Sequence, residues 1–207
     1  EVYAGSYLKA GIFVAIEAAV ITLGLIYDKK GDDQTKDFQE YADANWSILR
    51  YADYVIAQYH GGEDPGIIRS RDPSLRPDQQ VNWALLNENE QGSHHLPSYR
   101  SQQYYELIGK YYQFTAGWND FQPGQNLPDV TPNHLYYAGI HAKADDYYNV
   151  AAKAVIGIYV NHFLSAFDAA WSTINYNKSI AMNMRVETIQ YAGDVEYIPT
   201  LNMKFNF

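Results

Sequence analysis

Twenty consecutive residues, 8–27, carry only two charges, Lys9 and Glu17, and no other feature restricts the fold as much. They read LKAGIFVAIEAAVITLGLIY. As a helix rising about 1.5 Å per residue, such a stretch crosses a hydrocarbon core about 30 Å thick. It does not read as a signal peptide. No cationic segment precedes it, no small-residue cleavage site follows, and Asp28-Lys29-Lys30 closes it as a polar stop. A second apolar stretch, 150–174, is also long enough to span but carries Lys153, Asn161, His162 and Asp168. Length and flanks favour two membrane-embedded helices. The rival is a soluble bundle in which both helices form the core and the polar residues line a cleft.

The charge follows this division. The chain of 207 residues has a net charge of −9. Segment 28–149 holds 18 acids against 10 bases, a net of −8, and the remainder is nearly neutral. An acidic chain lacks the basic face that neutralises a phosphate backbone, so nucleic acid is excluded as a partner. Cysteine is absent, which removes disulfide scaffolds, thiolate metal sites and cysteine nucleophiles.

Within 28–149 the periodicity predicts helices. Asp32 or Asp33 can cap one running to about Tyr59, where Gly61-Gly62 stops it. Pro77-Asp78 opens a short one through about Asn89, and Ser98 caps another from Tyr99 to Phe114. Thr131-Pro132 reads as an N-cap with proline at the first helical position. It opens a long run to about Asn175, with Gly139 as a candidate kink. After it the period changes to two: Ile180, Met182, Met184 and Val186 alternate with polar residues, as do Leu201, Met203, Phe205 and Phe207. Two strands joined through 191–199 form a hairpin, marginal alone and expected to pack on something. The expected class is mainly α: two long hydrophobic helices, an intervening acidic helical segment and a C-terminal β-hairpin. The expected domains are a helical membrane-associated one over 1–175 and a hairpin tail over 176–207.

Glu17 and the Asn161-His162 pair lie midway along their apolar stretches, hence at one depth if both span. A carboxyl there is costly unless neutral or paired, so Glu17 is expected to meet His162, or Lys153 reaching across. Gly157, Asn161, Ser165, Asp168 and Ser172 recur on one helix face, the small and polar face that close helix packing uses. A structural seam is the favoured reading. An intramembrane relay built on Glu17 and His162, as in a transporter or channel accessory, is the alternative.

The metal candidates are weaker. His141 and Asp145 stand at i, i+4, with His134 nearby, and would serve a metal-dependent enzyme. No Glu-x-x-His pair, His-Glu-x-x-His motif, EF-hand loop, Walker A loop or nucleophile elbow accompanies them. No cofactor is expected. Asn45-Trp-Ser47 and Asn177-Lys-Ser179 are formal glycosylation sequons, relevant only in a eukaryotic secretory pathway.

Tyrosine is abundant, 20 of 207, and forms the doublets 104–105, 111–112, 136–137 and 147–148. Adjacent residues on a helix face different ways, so Tyr104, Tyr105, Tyr111 and Tyr112 are expected to supply contact surfaces. Tyr3, Tyr7 and Tyr27 flank the first apolar helix as an interfacial belt would. A carbohydrate-stacking cleft would lack an obvious paired-carboxylate site beside it.

Three stretches, EVYAGSYLKAGIFVAIEAA at 1–19, YYELIGKYYQFTAGWND at 104–120 and VNHFLSAFDAAW at 160–171, resemble a family of envelope proteins of unassigned activity. The family occurs in Bacteroidetes, Chlorobi and Ignavibacteria-like bacteria. Its members carry a signal sequence and a Pro-Gly-(Ala/Leu)-Gly turn before the counterpart of Glu1, so the chain is expected to start inside the family's motif. The resemblance implies a bacterial envelope membrane protein and no particular chemistry. The expected role is a structural or assembly subunit. Its partners would be membrane lipid and other proteins or further copies of itself, engaged through tyrosine faces and the hairpin edge at 201–207.

Overall fold

The computed structural model describes residues 2, 5–97, 99–122, 124, 129–178, 180–191 and 194–205. Glu1, Tyr3, Ser98, Ser179 and Phe207, singled out above, lie outside them. The elements in chain order are α1 (Tyr7–Asn45), α2 (Ile48–Tyr59), α3 (Pro77–Gln80), α4 (Trp83–Asn89), α5 (Gln102–Lys110), a 3₁₀ turn (Tyr112–Gly117), α6 (Pro132–Lys178), β1 (Ile180–Tyr191) and β2 (Asp194–Phe205). The expected architecture is present: a mainly helical chain with two long apolar helices and a terminal antiparallel hairpin.

Several boundaries fall elsewhere than predicted, each for a local reason. Asp32 and Asp33 cap nothing, because α1 runs through them for 39 residues. Asp33 pairs instead with Lys29 one turn earlier, at 3.1 Å. The break comes at Trp46, whose indole Nε1 donates to the Phe114 carbonyl at 2.9 Å. Ser47 then caps α2, its hydroxyl accepting from Arg50 N. Gly61 and Gly62 end that helix with φ of +61° and +90°, the left-handed region glycine enters without steric cost. The segment from Pro77 to Asn89 is two short helices rather than one. Ser101 caps α5 by accepting from Tyr104 N at 3.1 Å. Arg100 just before it has φ +58°, outside helical geometry, so no helix starts at Tyr99. Thr131 behaves as expected, accepting from His134 N at 3.3 Å ahead of Pro132. The helix passes Gly139 unbroken. The strands pair further than predicted, up to Tyr191 opposite Asp194, and Pro199 lies inside β2 opposite Val186.

The chain divides into two compact units, 1–25 with 151–207 and 26–150, in place of the expected 1–175 and 176–207. The acidic segment is therefore a unit of its own, and the hairpin groups with the apolar helices.

In the first unit, residues of α1 and α6 pair antiparallel. Lys9 meets Asp168 at 3.0 Å, and Asn161 reaches the Phe13 carbonyl at 3.1 Å. A Cβ on Gly157 would stand 3.1 Å from Val20, and one on Gly24 3.4 Å from the Ala154 Cβ. As the α1 number rises from 9 to 24, its partner falls from 168 to 154, and small residues permit the close approach. The hairpin register places Met184 opposite Leu201 and Met182 opposite Met203, so one face is apolar. Met184, Val186, Tyr197 and Leu201 on that face are exposed.

In the second unit, aromatic residues make the core. Phe38, Trp46, Tyr51, Phe114, Trp118 and Tyr137 are buried together with Val55, Ile67, Leu86 and Ile108. Trp118 contacts the Tyr137 ring at 4.9 Å between centroids, and Phe38 meets Tyr137 edge-on at 5.9 Å.

Candidate functional site

The polar residues midway along the apolar stretches of the first unit come together as the sequence suggested. Glu17 accepts from Asn161 Nδ2 at 3.3 Å, and its other oxygen lies 2.8 Å from His162 Nε2. Asn161 is almost fully buried and ties both the Glu17 carboxylate and the Phe13 carbonyl, so it fixes the helix pair twice. Asp168 pairs with Lys9, a partner the sequence reading did not assign. Ser165 turns back to its own helix, donating to the His162 carbonyl at 3.0 Å. Lys153 is exposed and does not join Glu17. The cluster is a hydrogen-bonded seam in which one carboxylate meets one imidazole and one amide, while His162 stays largely exposed. A relay needs a succession of such groups along the span, which these residues do not supply.

The histidines proposed for a metal do other work. His134 is buried between Thr115 Oγ1 at 2.9 Å and the Gly109 carbonyl at 3.0 Å. A carbonyl only accepts, so Nε2 carries the proton and Nδ1 takes the threonine hydroxyl, which leaves no lone pair for an ion. Burial lowers the His134 pKa below its ordinary value and holds the ring neutral. His141 packs its ring on Phe38, 4.7 Å between centroids, and its Nδ1 faces Asp145 at 3.5 Å. Both line a 740 Å³ groove that also includes Glu106 and Lys110, a pair 3.0 Å apart. Among the described residues, no group of three or more His, Cys, Asp or Glu side chains could hold a metal.

The tyrosine doublets divide differently from expectation. Tyr104 and Tyr105 are buried, each only 3% exposed, and so do not form a contact surface. Tyr104 packs against Trp46, Trp83 and Tyr99, while the Tyr105 hydroxyl donates to Asp43 at 3.0 Å. Helix α5 is covered on adjacent faces, so both members of the doublet enter the core. Tyr112 is exposed and Tyr111 half-buried. On the hairpin, Leu201 and Met203 are exposed. Phe205 lies in β2 opposite Ile180.

One cluster escaped the sequence reading. The Glu90 side chain is wholly buried, accepts from the Tyr51 hydroxyl at 2.5 Å, and contacts His95 Nδ1 at 2.9 Å. Burial raises the Glu90 pKa against the lowering effect of its hydrogen bonds, and raises that of Tyr51 as well. Gln113 lies beside them, 3.5 Å from the Tyr51 hydroxyl, and donates to the His94 carbonyl at 2.6 Å. Nothing in the spacing of Glu88 and Glu90 distinguishes the buried acid from the exposed one.

No family model, curated protein or solved structure matches this chain.

Proposed function

We propose that the chain is a membrane-embedded structural or assembly subunit of a bacterial envelope, self-associating or joined to other membrane proteins. One observation carries the reading: none of the 18 residues in the apolar window of α1 is buried within the chain, and only 17% of that of α6. A helix this apolar in a soluble protein would face its own core. A transient leader would have no matched partners, yet Glu17, Val20 and Gly24 each meet a specific residue of α6.

The same geometry supports a reading of association. The His162 side chain is 59% exposed and that of Glu17 32%. At membrane depth, polar groups this open are covered by another helix, because lipid offers no hydrogen bonds. The exposed apolar face of the hairpin supplies a second surface of association. The envelope as the location rests on the sequence resemblance at 1–19, 104–120 and 160–171.

Fractionation tests the reading. The chain is expected to stay in the membrane pellet through alkaline carbonate and to leave it only with detergent. Recovery in the aqueous supernatant would rule out embedding.

A further inference from the structure

A cleft of 560 Å³ opens in the acidic unit among α2, loop 91–95 and the start of the 3₁₀ turn. Its size is that of small-ligand sites, about 300–1,000 Å³. Four tyrosines, Tyr54, Tyr59, Tyr111 and Tyr112, contribute to its wall. Three glutamines, Gln58, Gln91 and Gln113, stand between them, with Ser93 and His94. Not one Asp, Glu, Lys or Arg lines it, although this unit holds 18 acids and 10 bases.

The site is built rather than incidental. The Gln113 amide brackets His94, accepting from its N–H at 3.4 Å and donating to its carbonyl at 2.6 Å. This anchors loop 91–95 as a neighbouring strand would. Gly92 makes the approach possible, since a Cβ there would overlap the Gln113 side chain. The His94 ring stacks on Tyr111 at 3.6 Å, with its Nδ1 held by Ser93 at 2.8 Å. Behind Gln113, the Tyr51 hydroxyl and Glu90 complete the support without adding charge to the wall.

We propose that this cleft binds a neutral oligosaccharide. Tyrosine faces stack on the apolar faces of sugar rings, and amide groups, each both donor and acceptor, match vicinal hydroxyls. A wall without Arg or Lys offers a phosphate or carboxylate ligand no charge clamp beyond His94, and the glutamines disfavour an acyl chain. Glycoside hydrolysis needs two carboxyl groups flanking the bond, and this wall has none, so the ligand is held and not cleaved. The inference stands independently of membrane embedding.

The test uses the full chain in a detergent without a sugar headgroup, with cellohexaose, chitohexaose and maltohexaose as probes. Saturation-transfer NMR is expected to show transfer to the ring protons of at least one. Tyr112→Ala and Gln58→Ala, both exposed positions, are expected to weaken that binding about tenfold each. Tyr197→Ala, an exposed tyrosine outside the cleft, is expected to leave it unchanged. No transfer to any of the three sugars overturns the proposal. So does transfer that survives both cleft substitutions or falls equally with Tyr197→Ala.

Discussion

Exchanging a glycine for alanine within a helix ordinarily stabilises by about 1 kcal/mol. At Gly139 in α6, nothing lies within 4 Å of the added methyl. At Gly109 in α5, the same methyl would overlap the Tyr137 ring, which is fully buried and donates to the Tyr105 carbonyl at 2.7 Å. Thermal unfolding should therefore separate the two: Gly139→Ala raises the midpoint, and Gly109→Ala lowers stability by about 1–3 kcal/mol. Equal shifts would mean that α5 and α6 do not pack at Tyr137. His134 gives a second residue-scale expectation. Its folded pKa lies below 6.5, so the unfolded chain binds more protons, and stability falls as pH drops from 6.5 toward the folded value. Glu90, displaced upward by burial, acts in the opposite sense, contributing most below 4.5 and less as pH rises through its folded value. His134→Gln should accordingly lose less stability than the parent chain between pH 7.5 and 5.5, read by denaturant midpoints. An unchanged pH slope would remove His134 from the account. Neither residue role was legible in the sequence, because spacing shows which residues share a helix face and not which face is covered. Tyr104 and Tyr105 make the same point, since two covered faces of α5 absorb both rings.

The elements were more readable than their ends. The apolar content of 8–27 and 150–174, the Thr131-Pro132 start and the alternation after Ile180 all correspond to elements of the structure. The break after α1 was not readable, because the apolar period runs from Phe38 through Tyr41 to Leu49 without glycine or proline. Trp46 interrupts it by reaching Phe114 and lying beside Gly117, where any side chain would overlap the indole. That cause lies some seventy residues away in sequence, beyond any local pattern. The pairing of α1 with α6 within the first unit is testable because the chain has no cysteine. Cβ atoms at Gly24 and Ala154 would stand 3.4 Å apart, close to disulfide spacing. The double variant Gly24→Cys/Ala154→Cys should cross-link on mild oxidation and shift on a non-reducing gel. Leu23→Cys/Ala154→Cys, rotated about 100° around α1, should not. Cross-linking of both pairs alike would refute the register.

At the scale of the whole chain, the division of charge and the division into units coincide. The unit 26–150 carries a net of −8, and the apolar helices and hairpin together carry −1. On the proposed reading, the acidic unit stays in water and the nearly neutral part meets lipid and other copies. Its hairpin exposes a row of Met184, Val186, Tyr197 and Leu201, and a two-stranded sheet with an uncovered apolar face is marginal alone. Pro199 lies opposite Val186 and removes one backbone donor from β2. Truncation after Lys178 is expected to disperse the assembly, read as a fall in detergent-corrected mass by light scattering. Far-UV circular dichroism should keep the helical signal, since every contact between α1 and α6 in that unit precedes the cut. Leu201→Lys, at an exposed position that needs no refolding, should weaken the assembly in the same direction. Were both variants to keep the parent mass, association would have to run through the Glu17–His162 face instead. Glu17→Gln would then change the assembly where the hairpin variants did not.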